Sequence, residues 1–204
     1  MDDLKETSRV EAFSDGIFAV AITLLILNIQ LPPKDSSDSD LLKSLLNEWP
    51  NYLAFVTSFF TIGIMWINHH RLFNHIKRTD NTLLVLNILL LLVIVFIPFP
   101  TALLADYISH PTQHVAALIY SGTFVILAIF FNLLWRYATY KGRLLSKNAD
   151  LSAIKAISRQ YLFGPLLYTI AFALAWISAP ASIILNLLLA IFFAIPSHKF
   201  SKLA

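Results

Sequence analysis

The chain contains no cysteine, few charged residues and only five glycines, and each shortage excludes a class of function. Without cysteine the protein can form neither a disulfide framework nor a thiolate metal site. No two glycines are adjacent or one residue apart, so a selectivity filter of the Thr-Val-Gly-Tyr-Gly kind cannot be built from backbone carbonyls. No phosphate-binding loop or catalytic motif occurs, and we therefore predict that the protein is not an enzyme.

Apolar residues dominate what the chain does contain. Hydrophobic residues occupy 57% of the 204 positions, charged residues occupy 13%, and the mean hydropathy is +0.70. A soluble domain carries about 25% charged residues. Since this chain has too few polar groups to cover its own apolar surface, we expect a lipid bilayer to cover it.

Long apolar segments predict how the chain crosses the bilayer. A helix needs roughly 20 mostly apolar residues to span the hydrocarbon core, and six segments come close to that length. We predict an all-α integral membrane protein, one domain over residues 1–204, with six transmembrane helices at 13–31, 51–72, 81–105, 114–137, 160–178 and 180–196.

The basic residues indicate the orientation of these helices. Of the 15 lysine and arginine residues, only Lys34 and Lys43 lie on the side of the membrane opposite to the N-terminus. Lysine and arginine accumulate in cytoplasmic loops. We therefore expect a multi-pass protein of the cell membrane with both termini in the cytoplasm.

Three further patterns predict local structure around the spans. Leucines recur at helical spacing over 41–49, which indicates a short amphipathic helix at the membrane surface. Asp150 can cap a helix that leads into the fifth span. Pro98 and Pro100 are expected to kink the third span near its outer end.

The first span has polar residues at its N-terminal end, where they are costly unless the protein pairs them. If the helix begins near Phe13, Ser14 or Asp15 could cap it. Alternatively, Arg9, Ser14 and Asp15 could join a hydrogen-bonded cluster with polar residues that end the second span, namely Trp66, Asn68, His69 and His70.

A stripe of mostly aliphatic residues runs along the same first helix. Val20, Thr23 or Leu24, and Leu27 follow the i, i+3/4, i+7 spacing of one helix face. Such a stripe usually packs against another helix or faces lipid. On a helix with polar residues at its foot, it could instead line a path for ions, and both interpretations stay open at this point.

Two motifs together resemble a known family. The first span opens with Arg9-x-x-x-Phe13-Ser14-Asp15-Gly16 followed by Ala-x-x-Ile-Thr-Leu-Leu-Ile-Leu, and the second ends with Trp66-x-Asn68-His69-His70. With six spans and cytoplasmic termini, this sequence resembles the bacterial transmembrane protein 175 potassium channels over nearly its full length.

The resemblance implies a homotetramer in which the first helix of each subunit lines a central pore. It implies a filter of stacked hydrophobic rings, with Val20 innermost, then Leu24 and Leu27, and with Thr23 as a pore-facing hydroxyl. Val20 departs from the bulkier isoleucine or leucine often found at this level. Passive conduction with modest selectivity for potassium over sodium is the implied function. A network of Arg9, Phe13, Ser14 and Asp15 with the polar end of the second span would set the angle of the pore helix.

The expected partners are copies of this chain, the bilayer and monovalent cations, with no nucleic acid and no cofactor apart from the permeant potassium ion. We expect no metal site, because His70 and His75 are off a shared helical face and lack an acidic ligand nearby. The main alternative is a proton-coupled secondary transporter that uses Asp15, His69 and His70. Transporters, however, usually place such groups near the membrane midplane. A structural or partner-binding membrane protein is the third hypothesis.

Overall fold

The protein is seen here as a computed structural model, which describes residues 6–31, 37–107, 113–146 and 149–195. Within these ranges the regular structure is helical apart from isolated β-bridge residues, which confirms the all-α prediction. The α-helices are, in chain order, α1 (Ser8–Leu24), α2 (Asp38–Asn47), α3 (Trp49–His75), α4 (Asn81–Phe96), α5 (Pro98–Tyr107), α6 (Gln113–Thr139), α7 (Leu151–Leu162), α8 (Gly164–Leu174) and α9 (Ala179–Ala194).

Four helical segments are long and apolar enough to cross a membrane, and they correspond to the first four predicted spans. They are Ser8–Asn28, Trp49–His75, Asn81–Tyr107 and His114–Gly142. The fifth and sixth predicted spans contain α8 and α9, of 11 and 16 residues. Both are shorter than the roughly 20 residues of a full crossing. The residue that ends the sixth predicted span, Pro196, lies outside the described residues.

The first helix begins earlier than the sequence indicates, and the capping hypothesis for Ser14 and Asp15 is wrong. The carbonyl of Thr7 accepts the amides of Val10 and Glu11, so α1 is already helical a full turn before Phe13. The Ser14 hydroxyl donates instead to the carbonyl of Val10 at 2.7 Å, within the helix. Hydropathy marks where the apolar run begins, whereas backbone hydrogen bonds determine where the helix begins.

Prolines separate the helices of the third and fifth predicted spans. As expected, the third is divided at Pro98, between α4 and α5. The fifth is divided before Pro165, which has no N–H to donate to the carbonyl of Tyr161 four residues earlier. The Asn132 side chain of α6 donates to that carbonyl at 2.7 Å and so replaces the missing bond.

Helix α6 lies at the centre of the bundle. It packs against α4, α5, α7, α8 and α9, and its Phe124 and Trp135 are among the largest fully buried side chains. The indole of Trp135 donates to Ser158 of α7 at 2.9 Å. This helix therefore joins the half of the chain that contains α1 to the half that contains α9.

Both short predicted helices are present. Helix α2 is capped by Ser37, and its leucines 41, 42, 45 and 46 are exposed, in agreement with an amphipathic helix. Helix α7 is capped by Asp150, whose carboxylate accepts the amides of Ser152 at 2.8 Å and Ala153 at 3.3 Å. The Asp150 prediction is confirmed.

Candidate functional site

Helix α1 has one face that packs inside the subunit. Ser14, Phe18, Ala21 and Leu25 follow one another at helical spacing and are fully buried or nearly so. This face contacts α3 and α4. The packing of this face against α3 and α4 therefore fixes the rotation of α1 about its own axis.

The stripe singled out in the sequence lies away from that packed face. Val20 is 50% exposed, Leu24 37% and Leu27 73% in the single chain. Thr23 is also exposed, and its hydroxyl donates to the carbonyl of Val20 at 2.9 Å. Phe13, about two turns before Val20 in the same helix, is exposed as well. Among the described residues, the stripe is thus partly to largely uncovered within the single chain.

A chain of buried hydrogen bonds joins α1, α4 and α3. The Asn87 amide donates to the Ser14 hydroxyl at 3.0 Å, and the Asn87 oxygen lies 2.9 Å from His69 Nε2. Since that oxygen can only accept, His69 donates through Nε2. The Ser14 hydroxyl accepts from Asn87 and donates to the carbonyl of Val10. All three linked side chains are buried. These hydrogen bonds therefore link the N-terminal half of α1 to both α4 and α3.

Aromatic rings enclose the imidazole of His69. Phe73 stacks on it with ring centroids 4.5 Å apart, and Phe18 of α1 meets it edge-on at 5.5 Å. The ring is thus held between α1 and its own helix by packing as well as by hydrogen bonding. This environment fixes the rotamer in which His69 reaches Asn87.

A second contact joins α1 and α3 nearer to the surface. The indole of Trp66 donates to the Asp15 carboxylate at 2.7 Å. His70 stacks on Trp66 with centroids 5.9 Å apart. Trp66, Asp15 and His70 are all exposed in the single chain, in contrast to the buried chain through Asn87.

The structure does not bring Arg9 and Asn68 into these contacts. Arg9 is exposed and has no polar contact with the site among the described residues, because it lies about 140° around the helix from Ser14. Asn68 is buried, but its oxygen accepts from Arg71 at 3.4 Å. Arg71 in turn donates to the carbonyl of Ala194 at 2.7 Å. Asn68 therefore belongs to the contact between α3 and α9.

Asn87 is the site residue that the sequence reasoning missed. The sequence alone does not name its hydrogen-bond partners. The available signal was one amide in the interior of a helix that is entirely aliphatic on either side of it beyond the first turn, since such a group has to find a partner in the protein. Its position in the same half of the bundle as Ser14 and His69 follows only from the packing of α4.

The outer end of α1 has an anchor of its own. After Leu24 the helix tightens into a 3-10 turn over Leu25–Asn28. The Asn28 amide donates to the carbonyl of Pro98 at 3.3 Å, at the break between α4 and α5. Leu27 thus stands on a segment whose hydrogen-bond pattern differs from the rest of α1. Such 3-10 turns are common at helix ends, where they tighten the last turn.

The site offers no ready metal centre. Among the residues described by the structure, no group of three or more histidine and acidic side chains is arranged to hold a metal ion. What the site does provide is one rigidly held helix with an anchored face, and an opposite face left uncovered by its own subunit.

These features define a helical membrane protein whose first helix is packed on one face and exposed on the other, and comparisons with known proteins identify the family. The model of the endosomal/lysosomal potassium channel TMEM175 family matches residues 9–98, which include α1, α3 and α4. The chain is 51% identical over 194 residues to a potassium channel of Chamaesiphon minutus, covering 95% of this chain and 96% of that protein. It is 43% identical over 191 residues to a potassium channel of Streptomyces collinus, covering 93% and 92%.

A solved structure agrees with these similarities. The crystal structure of a lysosomal potassium-selective channel TMEM175 homolog from Chamaesiphon minutus matches with a TM-score of 0.83 and 48% identity, covering 94% of this chain and 97% of that one. The chain therefore belongs to the TMEM175 family. The expectations of that family and of an ion channel rather than an enzyme are confirmed.

Proposed function

We propose that this protein is a potassium-selective channel in which four copies of α1 surround a central pore. The observation that carries the proposal is the uncovered face of α1, with Val20, Leu24 and Leu27 exposed on a helix whose other face is anchored. Membership in a family whose bacterial relatives are named potassium channels supports the choice of ion. One subunit has no internal symmetry that could enclose a pore, so several copies are needed.

The filter consists of rings of aliphatic side chains. Four copies of Val20, Leu24 or Leu27 at one level form a constriction that expels water and blocks ions when it is narrow. The Thr23 hydroxyls are the side-chain oxygens at this depth. Because so few ligands replace the hydration shell of an ion, selectivity for potassium over sodium is modest.

The buried hydrogen-bond chain sets the rotation of the pore helix. Ser14 is linked through Asn87 to His69, and Asp15 to Trp66, so α1 cannot turn without breaking or stretching these contacts. A small rotation changes which side chains narrow the pore. The hydrogen bonds of Asn87 therefore stabilise one rotation of α1 and one pore diameter. When these hydrogen bonds are lost, α1 can adopt other rotations and the pore other diameters.

The protein lies in the cell membrane as a single domain with six crossings and both termini in the cytoplasm. The distribution of lysine and arginine supports this orientation. It places the foot of α1, the end of α3 and the start of α4 near the cytoplasmic surface. The shorter helices α8 and α9 complete the fifth and sixth crossings.

The transporter hypothesis has less support. Of its ionisable residues, Asp15 lies in the N-terminal half of the Ser8–Asn28 segment, and His69 and His70 lie in the last third of α3. Coupled transporters bind their substrates and ions near the membrane midplane. A channel accounts better for ionisable groups in the N-terminal half of a helix whose C-terminal half is aliphatic.

Flux into liposomes tests the proposed function. The purified protein is reconstituted in vesicles, and uptake of potassium, rubidium, caesium and sodium is measured along imposed gradients. We expect potassium flux above that of empty vesicles, and a smaller sodium flux. Absence of flux for every one of these ions in correctly folded protein would contradict the proposal, and equal potassium and sodium fluxes would remove its selectivity.

A further inference from the structure

Asp80 connects α4 to α6 through both oxygens of its carboxylate. One oxygen accepts the amide of Leu83 at 2.9 Å and so caps α4. The other accepts the hydroxyl of Tyr137, on α6, at 2.7 Å and lies 3.3 Å from Arg143 Nη2. The Asp80 side chain is only 11% exposed, and the Arg143 side chain is 46% exposed. Capping explains the first oxygen, whereas the second one binds a different helix and the segment that follows it.

The segment that carries Arg143 is itself held against the end of α3. The carbonyl of Leu144 accepts the amides of Lys77 at 2.9 Å and Arg78 at 3.3 Å, and Ser146 donates to the carbonyl of His75 at 3.3 Å. The Arg143 guanidinium also lies over the ring of Tyr137. Asp80 is therefore the side chain at which the start of α4, the end of α6 and the segment between α6 and α7 meet.

Helix α4 also carries Asn87, which joins α1 to α3 through its hydrogen bonds to Ser14 and His69. We call these two hydrogen bonds the anchor through Asn87. Asn87 follows Asp80 by two helical turns, or about 10 Å at 1.5 Å per residue. A helix is stiff over that length, so a shift or tilt at Asp80 moves the Asn87 amide relative to Ser14 and His69. Their hydrogen bonds, at 3.0 and 2.9 Å, have little room to lengthen before they are lost.

We propose that Asp80 is a positioning residue of the channel, which holds Asn87 in place by fixing the start of α4 to α6. The inference rests on the proposed function, because it needs the anchor through Asn87 to set the pore. It assigns a role in conduction to a carboxylate that touches neither the pore face of α1 nor the anchor itself. Arg143 and Tyr137 share this role through their contacts with the second oxygen.

The test compares Asp80→Asn in two backgrounds, the native chain and Asn87→Ala. Asparagine keeps an oxygen for the Leu83 amide but removes the charge that binds Arg143. We expect Asp80→Asn to raise potassium flux in liposomes about two- to fivefold, since partly exposed ion pairs contribute modestly. In the Asn87→Ala background, Asp80→Asn should change the flux by less than about 1.5-fold relative to Asn87→Ala alone. It should lower the unfolding temperature in both backgrounds.

Asp150→Asn is the matched control, because Asp150 also caps a helix, but the hydrogen bonds of its carboxylate to described residues all go to the start of α7. It should leave the flux unchanged. If Asp80→Asn fails to fold, Tyr137→Phe, which removes only the hydroxyl, gives the same comparison.

Three results would overturn the inference. An equal rise in both backgrounds would show that Asp80 acts independently of Asn87. An unchanged flux in Asp80→Asn, when Asn87→Ala alone does alter flux, would overturn the inference and leave the proposed function intact. If Asn87→Ala itself leaves the flux unchanged, the proposed role of the anchor fails, and the inference fails with it.

Discussion

Replacement of Asn87 by leucine should uncouple α1 from α3 and α4 without leaving a cavity. Leucine has the same branched heavy-atom skeleton as asparagine, with bulkier methyl groups in place of the oxygen and the amide nitrogen, so the change removes hydrogen bonds and leaves no cavity. Asn87 is 2% exposed, and water cannot easily take its place. We expect lower stability together with a higher potassium flux, because the foot of α1 is then free to rotate.

The size of the stability loss follows from the two bonds that Asn87 makes. His69 Nε2 loses its acceptor and remains buried, which costs about 1–3 kcal/mol. Ser14 still donates to the carbonyl of Val10, so its contribution is small. Interhelical hydrogen bonds in membrane proteins average about 0.6 kcal/mol and reach about 1.7 kcal/mol. The expected loss is therefore about 1–2 kcal/mol.

Reversible unfolding in mixed detergent micelles, followed by circular dichroism, measures this loss. A second variant, His69→Phe with Asn87→Leu, removes both partners, and phenylalanine can occupy the space between Phe18 and Phe73. We expect the pair to recover most of the stability, because no buried donor remains. Asn74→Leu, at an exposed position of α3, is the control and should change stability by less than about 0.5 kcal/mol.

Two results would refute this reasoning. A loss below about 0.5 kcal/mol for Asn87→Leu would mean that the buried chain contributes little. A double variant whose loss equals the sum of the single losses would mean that His69 and Asn87 do not act through their hydrogen bond.

Two further predictions concern the outer end of α1 and the cap of α7. Asn28→Ala should release the 3-10 turn from Pro98 and change the ratio of potassium to sodium flux relative to the native protein. The control Gln30→Ala should leave that ratio unchanged. An unchanged ratio in Asn28→Ala as well would contradict a role for the hydrogen bond to Pro98. The hydrogen bond from the Ser152 hydroxyl, with the amides of Ala153 and Ser152, lowers the pKa of Asp150, so its cap is complete above about pH 4 and is lost as the pH falls through the lower folded-state value. The protection of the first α7 amides from hydrogen exchange, measured against the intrinsic exchange rate at each pH, should fall in that acid range, and Asp150→Asn should show no such fall.

Local patterns predicted the features that depend on local forces. Apolar length located the first four spans, Pro98 located the helix break, and Asp150 located the start of α7. The first depends on the apolar length of one segment, and the other two depend on backbone hydrogen bonding within a few residues. The break at Pro165 follows the same rule, although its repair by Asn132 depends on contact with another helix.

The site was less predictable because helix rotation depends on packing between distant segments. Asn68 and His69 are adjacent, so their side chains point about 100° apart, and only one of them can face α1. The sequence alone does not say which. Asn87 is separated from Ser14 by most of the chain that forms α1 to α4, and the pairing becomes visible only when these helices are packed.

The central claim is that Val20, Leu24 and Leu27 face a water-filled path between subunits, and the absence of native cysteine permits a direct test. Single cysteines at these positions are exposed to a small cationic, water-soluble thiol reagent while potassium flux is recorded in liposomes. Ala21→Cys, buried inside the subunit, and Ile184→Cys, exposed on α9, are the controls. The account predicts block at the three stripe positions and not at the controls; no reaction at the stripe, or equal block through Ile184, would contradict it.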